Sequence, residues 1–521
     1  MPNHLVIRIE NSVSTIIGWV PENILEAIDE RLSYKRKGIE YSRKVVDGTW
    51  DGRSHCFSKY YKTFPSGLIG MVTRILDEFN VPWKYEDMRK VPTSNMKSKV
   101  VLPPPIELFD FQRETADLCE DVGRGICSLP TGSGKTMTFS VIIGELGVSP
   151  TIVYVPSLLL LDQTKRAIEK IVKNSDGSPV EVGMIGNGVC DIKEINVMTV
   201  QTAITVYDKI YDRSKGCVRN LTREEKDARR KRKRKNLENP DADEDMEFVN
   251  PNRAVIRNLI ESAVLVIADE CHRASSAMYQ EVMNNSKSAF YRFAFSATVY
   301  REDNTEILIQ AAFGRKLVDI SCSELIRRGI LVKPYIFSVN LPPEPIVAFE
   351  TYQQAKRKRI VESEQRNILI ANLANRLKSE GPTLLLVTEK RHGKILESLL
   401  PDSKFIHAGD QKKVKDQALS DMLSGKLPIL IATPIADEGL DLVQLKVLFL
   451  CDAGQSETKL YQRVGRSLRT CPNKEYSLIV DFRDTDENLS DHVIERQNLF
   501  LREEEFALIE VSPGRWKHRT E

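Results

Sequence analysis

A glycine-rich turn at residues 129–136 separates an apolar run from the start of a helical pattern. A strand, such a turn and a helix N-terminus in that order form a phosphate cradle, because the turn's N–H groups point inward and the helix dipole favours anions. In this pattern Lys135 reaches the β- and γ-phosphates and the Thr136 hydroxyl ligates Mg²⁺. Leu129 stands where the full pattern has glycine, and an ordinary tight turn is the alternative. The predicted nucleotide-binding residues are Pro130, Thr131, Gly132, Ser133, Gly134, Lys135 and Thr136.

Length and composition exclude several classes of protein. A chain of 521 residues is too long for one core and predicts three or four domains. The formal net charge of +2 means that affinity for nucleic acid has to come from local patches. Nine cysteines without a Cys-x-x-Cys pair indicate neither a disulfide framework nor a zinc site. With no secretory signal pattern and no membrane-length apolar run, we expect a cytoplasmic protein without a membrane partner.

The composition and hydrophobic pattern of the chain change near residue 100. Residues 1–100 contain three of the four tryptophans, paired Asp-Gly turn signals and a helical pattern at 66–79, which together predict a small α+β module. The proline-rich segment Val91–Pro105 is typical of a linker. We therefore predict a small N-terminal domain at 1–100, α/β lobes at 101–320 and 321–500, and a tail at 501–521.

Both lobes alternate short apolar runs with longer helical ones, which favours parallel sheets covered by helices on both faces. The predicted fold class is α/β, with two RecA-like parallel-sheet lobes in tandem after the small α+β domain. The predicted strands are Ile126–Leu129, Thr151–Val155, Ile195–Val200, Leu265–Ala268 and Arg292–Ser296, then Thr383–Val387, Phe405–His407, Ile429–Ala432, Val447–Leu450 and Tyr476–Val480.

A charged segment, Arg213–Asn250, interrupts the first lobe. It contains a basic run at 229–235 followed by an acidic stretch, with few apolar residues and no core periodicity. We interpret it as a partly disordered surface insertion. A solvated excursion and a DNA-contacting arm remain alternatives, and a nuclear-localisation signal is compatible with the composition.

Two acidic residues directly follow the apolar run 265–268. A carboxylate at the end of a strand in the same sheet as the phosphate loop stands where Mg²⁺ has to be held. Asp269 is therefore the predicted metal-binding residue together with Thr136. Glu270 is predicted to orient the attacking water and accept its proton.

Two arginines in the second lobe are predicted to assist phosphoryl transfer. Arg466 and Arg469 are three residues apart, which would place them on one face of a helix. The charge that develops on the γ-phosphoryl oxygens needs cationic donors, and arginines supply them. Upstream of the phosphate loop, the side-chain amide of Gln112 is a candidate for reading adenine.

In order along the chain these motifs resemble those of superfamily 2 helicases. Besides the residues above, the match includes Val155-Pro156-Ser157, Thr199-Val200-Gln201-Thr202, Asp269-Glu270-Cys271-His272, Ser296-Ala297-Thr298, the segment 432–441 and Gln462-Arg463-Val464-Gly465-Arg466. The resemblance implies a nucleic-acid track lined by Pro156, Ser157, Thr199, Gln201 and Thr433. It also implies that His272, Ser296 and Thr298 couple hydrolysis to that track, and that Gly439, Asp441 and Gln462 help to bind the nucleotide.

The N-terminal segments Asp47–Arg53 and Phe64–Leu68 look like the first module of the phage UvsW-type recombination helicases. That resemblance implies an ATP- and Mg²⁺-dependent motor that regresses forks and migrates branches, with residues 1–100 as its DNA-engaging domain. The motor is expected to grip the phosphate backbone and not to read bases. We expect a monomer, in the host cytoplasm if phage-encoded. Salt-sensitive, sequence-independent DNA binding is expected. Trp50 and Tyr60 are candidates for stacking on a base, with core packing as the alternative. An RNA helicase or RNA-displacing motor, and a non-hydrolysing scaffold, remain alternative functions.

Overall fold

The chain divides into two compact units in its computed structural model. The first comprises Met1–Leu129 and Gly134–Asp319, and the second Pro130–Ser133 and Ile320–Glu521. Within the described residues no helix is long and apolar enough to cross a membrane. The structure describes residues 4–35, 39–104, 106–207, 209–212, 217–225, 252–271, 276–297, 305–341, 351–407, 409–433, 443–452, 457–484 and 487–511.

Residues 4–87, here called the N-terminal module, form a small α+β structure with its own core. Strand order in its sheet is β5-β2-β1-β6, with β1 antiparallel to β2 and parallel to β6. Helix α3 buries Val72, Ile75 and Leu76 on one face, as the helical spacing predicts, after a 3₁₀ turn at 66–68. The elements are β1 (Leu5–Ile9), β2 (Val13–Ile17), α1 (Glu22–Arg31), β3 (Ser33–Lys35), α2 (Arg43–Val46), β4 (Arg53–His55), β5 (Thr63–Pro65), α3 (Ile69–Glu78) and β6 (Trp83–Asp87).

The first lobe, residues 94–319, is built on a sheet of order β12-β11-β13-β9-β16-β17-β8-β18. Apart from the antiparallel pair β11–β12, its strand pairs are parallel, as predicted. The inner strands are apolar and buried along their whole length because helices cover both faces.

The strands of this lobe are β7 (Ser98–Val100), β8 (Arg124–Ser128), β9 (Thr151–Val155), β10 (Val172–Asn174), β11 (Val182–Gly186), β12 (Val189–Asp191), β13 (Ile195–Thr199), β14 (Lys209–Asp212), β15 (Cys217–Asn220), β16 (Leu265–Asp269), β17 (Tyr291–Ser296) and β18 (Lys316–Asp319). Its helices are α4 (Asp110–Val122), α5 (Lys135–Leu146), α6 (Leu158–Ile171), α7 (Val200–Thr205), α8 (Arg253–Ser262), α9 (Ser276–Asn285) and α10 (Glu306–Phe313).

The N-terminal module docks on this lobe through very close backbone packing. A Cβ atom on Gly67 would lie 2.1 Å from the carbonyl oxygen of Gln310 and 2.6 Å from that of Ala311, both in α10. Ala311 is also part of the module's own hydrophobic core. Only glycine lets the two backbones approach this closely.

A second docking contact is made by the turn between β1 and β2. The Ser12 hydroxyl donates to the Met283 carbonyl (3.1 Å) and accepts from the Arg292 guanidinium (2.8 Å), and Arg124 donates to the Asn11 carbonyl (3.2 Å). Arg292 is fully buried, and burial holds its pKa well below the usual value. Burial likewise lowers the pKa of Arg124, to about 9. Because buried cations depend on such acceptors, the turn is an integral part of the lobe's packing.

The predicted linker is partly wrong, because residues 94–101 pack on the first lobe. Strand β7 pairs antiparallel with β10, and the backbone N–H groups of Asn95 and Met96 both donate to the Gly147 carbonyl. A carbonyl at the end of α5 is thus satisfied by this segment. The prolines that suggested a linker lie on either side of it.

The start of the predicted insertion is also more ordered than expected. Strands β14 and β15 form an antiparallel hairpin that includes Cys217–Asn220, and Leu221 after it is buried. Arg219 forms a bidentate ion pair with Glu225. Residues 213–216 and 226–250, including the basic run, lie outside the described residues.

The second lobe, residues 320–511, has a sheet of order β21-β22-β20-β23-β24-β19-β25, with parallel pairing throughout its described strands. Strand β25 pairs with β19, so residues 507–511 belong to this sheet and not to the predicted tail. The elements are α11 (Cys322–Arg327), β19 (Lys333–Asn340), α12 (Tyr352–Ala355), α13 (Glu364–Leu377), β20 (Thr383–Leu386), α14 (Lys390–Leu399), β21 (Ser403–Ile406), α15 (Lys412–Leu423), β22 (Ile429–Ala432), β23 (Val447–Leu450), α16 (Glu457–Ser467), β24 (Tyr476–Arg483), α17 (Glu487–Arg502) and β25 (Ala507–Val511).

Candidate functional site

Strand register brings the predicted polar residues of the first lobe to one edge of its sheet. Asp269 at the end of β16 pairs with Phe295, next to Ser296, and Ser296 pairs with Ser128 at the end of β8. Thr199 pairs with Val155 at the end of β9. Parallel strands place their carboxyl ends on the same edge, which is where ligands bind in open α/β sheets.

The turn after β8 has the backbone of a phosphate cradle. Gly132 and Gly134 have φ of +91° and +79°, a region that L side chains rarely adopt, and α5 begins directly afterwards at Lys135. The Ser133 N–H donates to the Pro130 carbonyl (3.2 Å), which closes the turn. The Leu129 N–H donates to the Ser296 carbonyl (2.8 Å) and ties the turn to β17. Leu129 itself is buried, so its side chain serves the core at the position where the full pattern has glycine.

Lys135 and Glu270 meet beside this turn. The Lys135 Nζ lies 3.1 Å from Glu270 Oε1 and 3.4 Å from the Leu129 carbonyl oxygen, and only 8% of the lysine side chain is exposed. Glu270 has a φ of +48°, unusual for a residue other than glycine. Such strained residues concentrate at functional sites, where the surroundings hold them. Asp269, the preceding residue, is buried at the end of β16.

Gln112 packs directly against the turn. A Cβ atom on Gly134 would lie 2.4 Å from its Nε2, while its Oε1 accepts a hydrogen bond from the Phe109 N–H (3.0 Å) and caps helix α4. Gln112 is 2% exposed. Sequence reasoning missed this capping role, although Gln112 is the third residue of a helix, where a glutamine commonly caps.

The residues present fit a nucleotide with a divalent cation. Lys135 supplies a cation at the N-terminus of α5, and the Thr131 hydroxyl oxygen is buried without a hydrogen-bond partner. Among the described residues no three His, Cys, Asp or Glu side chains cluster as a metal site. A cation held by Thr136 and Asp269 would therefore need phosphate and water oxygens to complete its coordination.

In the first lobe, the residues predicted for the nucleic-acid track lie at the ends of two strands: Pro156 and Ser157 follow β9, Thr199 is the last residue of β13, and Gln201 lies in α7. The Gln201 Nε2 donates to the Pro156 carbonyl (3.2 Å), and the Thr199 hydroxyl caps α7 by accepting from the Thr202 N–H. The Ser157 Oγ and Gln201 Oε1 are buried without a hydrogen-bond partner. The site therefore holds polar atoms that its own chain does not satisfy. His272 and Thr298 lie outside the described residues.

In the second lobe, one prediction about the arginines is wrong. Helix α16 ends at Ser467, so Arg469 is not on the same helix face as Arg466. Arg469 instead forms an isolated antiparallel bridge with Leu331, and the Leu468 N–H bonds back to the Gly465 carbonyl as the helix ends. Thr433 follows β22 and is buried, and its N–H donates a hydrogen bond to the Ile406 carbonyl. Gly439 and Asp441 lie outside the described residues, as does the Gln462 side chain.

A polar cluster at the carboxyl ends of β20 and β23 was missed. Lys356 Nζ lies 3.3 Å from Asp452 Oδ2 and donates to the Thr388 hydroxyl (2.9 Å), which in turn donates to Asp452. The strand order changes direction between β20 and β23, the position where open α/β sheets bind ligands. The sequence signal for this cluster was a polar residue shortly after each apolar strand, Thr388 after β20 and Asp452 after β23.

Family profiles match both lobes. Residues 93–301 match the profile described as type III restriction enzyme, res subunit, and residues 364–471 match the helicase conserved C-terminal domain. The chain belongs to superfamily 2 of the helicases. Lys135, Glu270, Arg466 and Arg469 lie within these two matches, whereas Lys356 lies outside them.

Individual relatives agree with the helicase assignment at low identity. Putative helicase 22 of Sulfolobus islandicus filamentous virus is 28% identical over 43% of this chain and 43% of its own length. The DNA 3'-5' translocase XPB2 of Sulfurisphaera tokodaii is 23% identical over 74% of this chain and 86% of its own. The ATP-dependent RNA helicase vasa of Drosophila melanogaster is 24% identical over 41% of this chain and 30% of its own. Apart from the XPB2 relative, the chain spans about half or less of the length of these helicases.

Solved structures also match the chain, at low sequence identity. The ATP-dependent type ISP restriction-modification enzyme LlaBIII bound to DNA matches with a TM-score of 0.50 and 14% identity, over 79% of this chain and 32% of that one. UvsW of phage T4 matches with a TM-score of 0.43 and 17% identity, over 98% of this chain and 99% of that one.

Proposed function

We propose that the protein is an ATP- and Mg²⁺-dependent DNA helicase or translocase that acts on branched DNA, by fork regression and branch migration of four-way junctions, in recombination, repair or replication. The observation that carries the motor part of this proposal is the pairing of Lys135 with Glu270 at the end of the glycine-rich turn. A phosphate-binding cation and a carboxylate in contact at the edge of a parallel sheet are the parts that phosphoryl transfer to water requires.

The residues would divide the chemistry as follows. Lys135 and the N–H groups of the turn hold the β- and γ-phosphates, while Thr136 and Asp269 hold the cation, Asp269 through water. Bound ATP–Mg²⁺ supplies the phosphoryl group and part of the charge neutralisation. Glu270 orients a water molecule and accepts its proton. For this step the Glu270 carboxylate has to release Lys135 and bind the water molecule instead. Arg466 and Arg469 donate to the charge that develops on the γ-phosphoryl oxygens.

Coupling to DNA would begin at the same edge of the first lobe. Pro156 and Ser157 follow β9, which neighbours the strand of Asp269, whereas Thr199 and Gln201 lie at or just after the end of β13, one strand further away. We propose that these residues, with Thr433, contact the phosphate backbone, and that Ser296 with His272 and Thr298 relays hydrolysis to them. Contacts of this kind fix the enzyme on the strand without reading sequence.

Hydrolysis assays with different nucleic acids test the choice of DNA over RNA. We expect single-stranded and forked DNA to stimulate ATP hydrolysis. Stimulation by RNA alone would contradict the DNA proposal and indicate an RNA motor. The similarity to the RNA helicase vasa supports that alternative.

The branched-DNA part needs its own experiment. Strand exchange on a synthetic four-way junction and on a fork should require ATP and fail with a non-hydrolysable analogue. Unwinding of a tailed duplex without any activity on the junction would remove branch migration and leave the motor in place.

A further inference from the structure

The N-terminal module carries a tight hairpin whose tip is aromatic and basic. Residues 59–62, here called the aromatic tip, read Lys59-Tyr60-Tyr61-Lys62. Ser58 and Thr63 exchange backbone hydrogen bonds of 2.9 and 3.3 Å on either side, and the Tyr61 N–H donates to the Ser58 hydroxyl (3.4 Å). The tip is therefore held in a defined shape by the hairpin below it.

The aromatic rings at this tip are turned to solvent. Tyr60 is 86% exposed and Tyr61 70%, with their ring centroids 4.8 Å apart in an edge-to-face arrangement. Trp19, 80% exposed, is the neighbour of Gly18, whose carbonyl accepts a hydrogen bond from Lys62 (2.7 Å). Large aromatic side chains normally bury most of their surface, and a group of them left in water marks a binding site.

The backbone of the tip supports a functional reading. Lys62 has a φ of +52°, a conformation that costs free energy for any residue other than glycine. Its ammonium group donates a hydrogen bond to the Gly18 carbonyl. At the other end of the tip, the Lys59 Nζ lies 3.5 Å from Asp29 Oδ2. Two lysines thus flank the exposed rings; Lys62 adds positive charge there, while the charge of Lys59 is balanced by Asp29.

We propose that the aromatic tip and Trp19 form a stacking platform for the unpaired bases of a nucleic-acid strand. Every base offers a π-face, so aromatic rings bind single strands without reading sequence, and flanking lysines attract the phosphates. Paired bases hide these faces inside the duplex, so the platform selects unpaired nucleotides. The inference rests on the proposed function, in which the protein works where duplex and single strand meet.

The docking of the module gives this platform a mechanical role. Gly67 packs on α10 of the first lobe, and Ser12 bonds to Met283 and Arg292 there. The tip and Lys135 therefore belong to one compact unit. Bases stacked on the tip are held by the same unit that carries Lys135 and Glu270.

Direct binding by the full chain without nucleotide tests the platform. The probe is a fluorescent oligothymidylate of about 20 nucleotides, longer than a typical single-strand site, beside an abasic oligonucleotide of equal length. The double variant Tyr60→Ala/Tyr61→Ala should bind the oligothymidylate about 10-fold more weakly. The same variant should bind the abasic strand as the unaltered chain does, because only the phosphates remain to be bound.

Two control variants separate stacking from folding. Tyr60→Phe/Tyr61→Phe keeps the rings and should bind like the unaltered chain. Tyr41→Ala removes a tyrosine that is 84% exposed elsewhere in the same module and should also leave binding unchanged. Unaltered thermal unfolding of the alanine double variant shows that the module is intact.

The outcomes distinguish this inference from the proposed function. Equal oligothymidylate affinity of the alanine double variant and the unaltered chain would overturn the platform, even where DNA stimulates ATP hydrolysis. An equal loss of affinity for the abasic strand would overturn it as well, since the tyrosines would then act on the phosphates. An unaltered chain that neither binds DNA nor responds to it would refute the proposed function and the platform together.

Discussion

The Nζ of Lys135 lies 3.1 Å from Oε1 of Glu270, so the cation of the glycine-rich turn and the carboxylate after β16 form an ion pair. Both side chains are largely buried, and the lysine also reaches the Leu129 carbonyl oxygen. Two residues 135 positions apart in the chain are brought together because β8 and β16 lie in one sheet with β17 between them. In the proposed mechanism, this pair links phosphate binding to water activation.

Changing each partner should give a different defect. Glu270→Gln removes the proton acceptor and should lower ATP turnover at least about 100-fold while nucleotide binding persists. Lys135→Ala removes the phosphate contact and should weaken nucleotide binding as well. Turnover kinetics beside binding of a fluorescent ATP analogue measures both. Full activity in either variant would mean that the site lies elsewhere.

The turn should not tolerate a side chain at Gly134. Gly134→Ala places a methyl group 2.4 Å from the Gln112 amide on a backbone with φ of +79°. Strain of this kind costs about 1–3 kcal/mol, so nucleotide affinity should fall by roughly 10-fold or more. Gly177→Ala, with φ of +89° but nothing within 4 Å, is the control for backbone strain alone. Gln112→Ala added to Gly134→Ala should restore part of the affinity; no recovery would place the cause in the backbone.

Docking of the N-terminal module should fail when Gly67 is enlarged. Gly67→Ala drives a methyl group into the Gln310 carbonyl, and overpacking of this kind costs about 1–3 kcal/mol of unfolding free energy, or more. Gly70→Ala, in α3 with open space around it, should be neutral or stabilising by up to about 1 kcal/mol. Urea unfolding gives the free energies, and equal stability of the two variants would argue against tight docking.

A buried histidine in the second lobe should make stability depend on pH. Burial, opposed by Asp452 and assisted by Arg366 and Lys356, lowers the pKa of His392 from 6.5 to about 4. The unfolded chain therefore binds a proton between pH 6.5 and 4 that the folded chain does not. The stabilisation is complete above pH 6.5 and declines as the pH falls toward 4, by at most about 3 kcal/mol.

His392→Gln should flatten this part of the stability profile, measured by urea unfolding at several pH values. The His392 Nε2 lies 2.9 Å from Asn367 Oδ1, a contact that glutamine can replace. An unchanged slope between pH 6.5 and 4 in the variant would assign the pH dependence to other groups.

Much of the fold was predictable because buried parallel strands correspond to short apolar runs in the sequence. Thr151–Val155, Ile429–Ala432 and Val447–Leu450 agree with the predicted limits, and other strands shift by one to three residues at an end. The errors have physical causes. Residues 94–101 look like a linker because their pairing partner, β10, lies far along the chain. Arg469 looks helical because spacing alone does not reveal that α16 ends at Ser467.

The candidate site was predictable in its residue types but not in its contacts. Lys135 and Glu270 follow from motif chemistry, whereas the left-handed backbone of Glu270 and the capping role of Gln112 depend on packing. The local sequence does not reveal that residue 67 has to be glycine, because the backbone that it contacts belongs to α10, about 240 residues further along the chain. The exposure of Tyr60 and Tyr61 likewise depends on the tertiary fold. The assignment of individual DNA contacts stays a prediction.

The rate of ATP hydrolysis by the full chain, measured with and without forked DNA, tests the central claim most directly. The account predicts that forked DNA raises the rate and that Lys135→Ala abolishes the stimulated hydrolysis. A rate that is the same with and without any nucleic acid, or that survives Lys135→Ala, would contradict it.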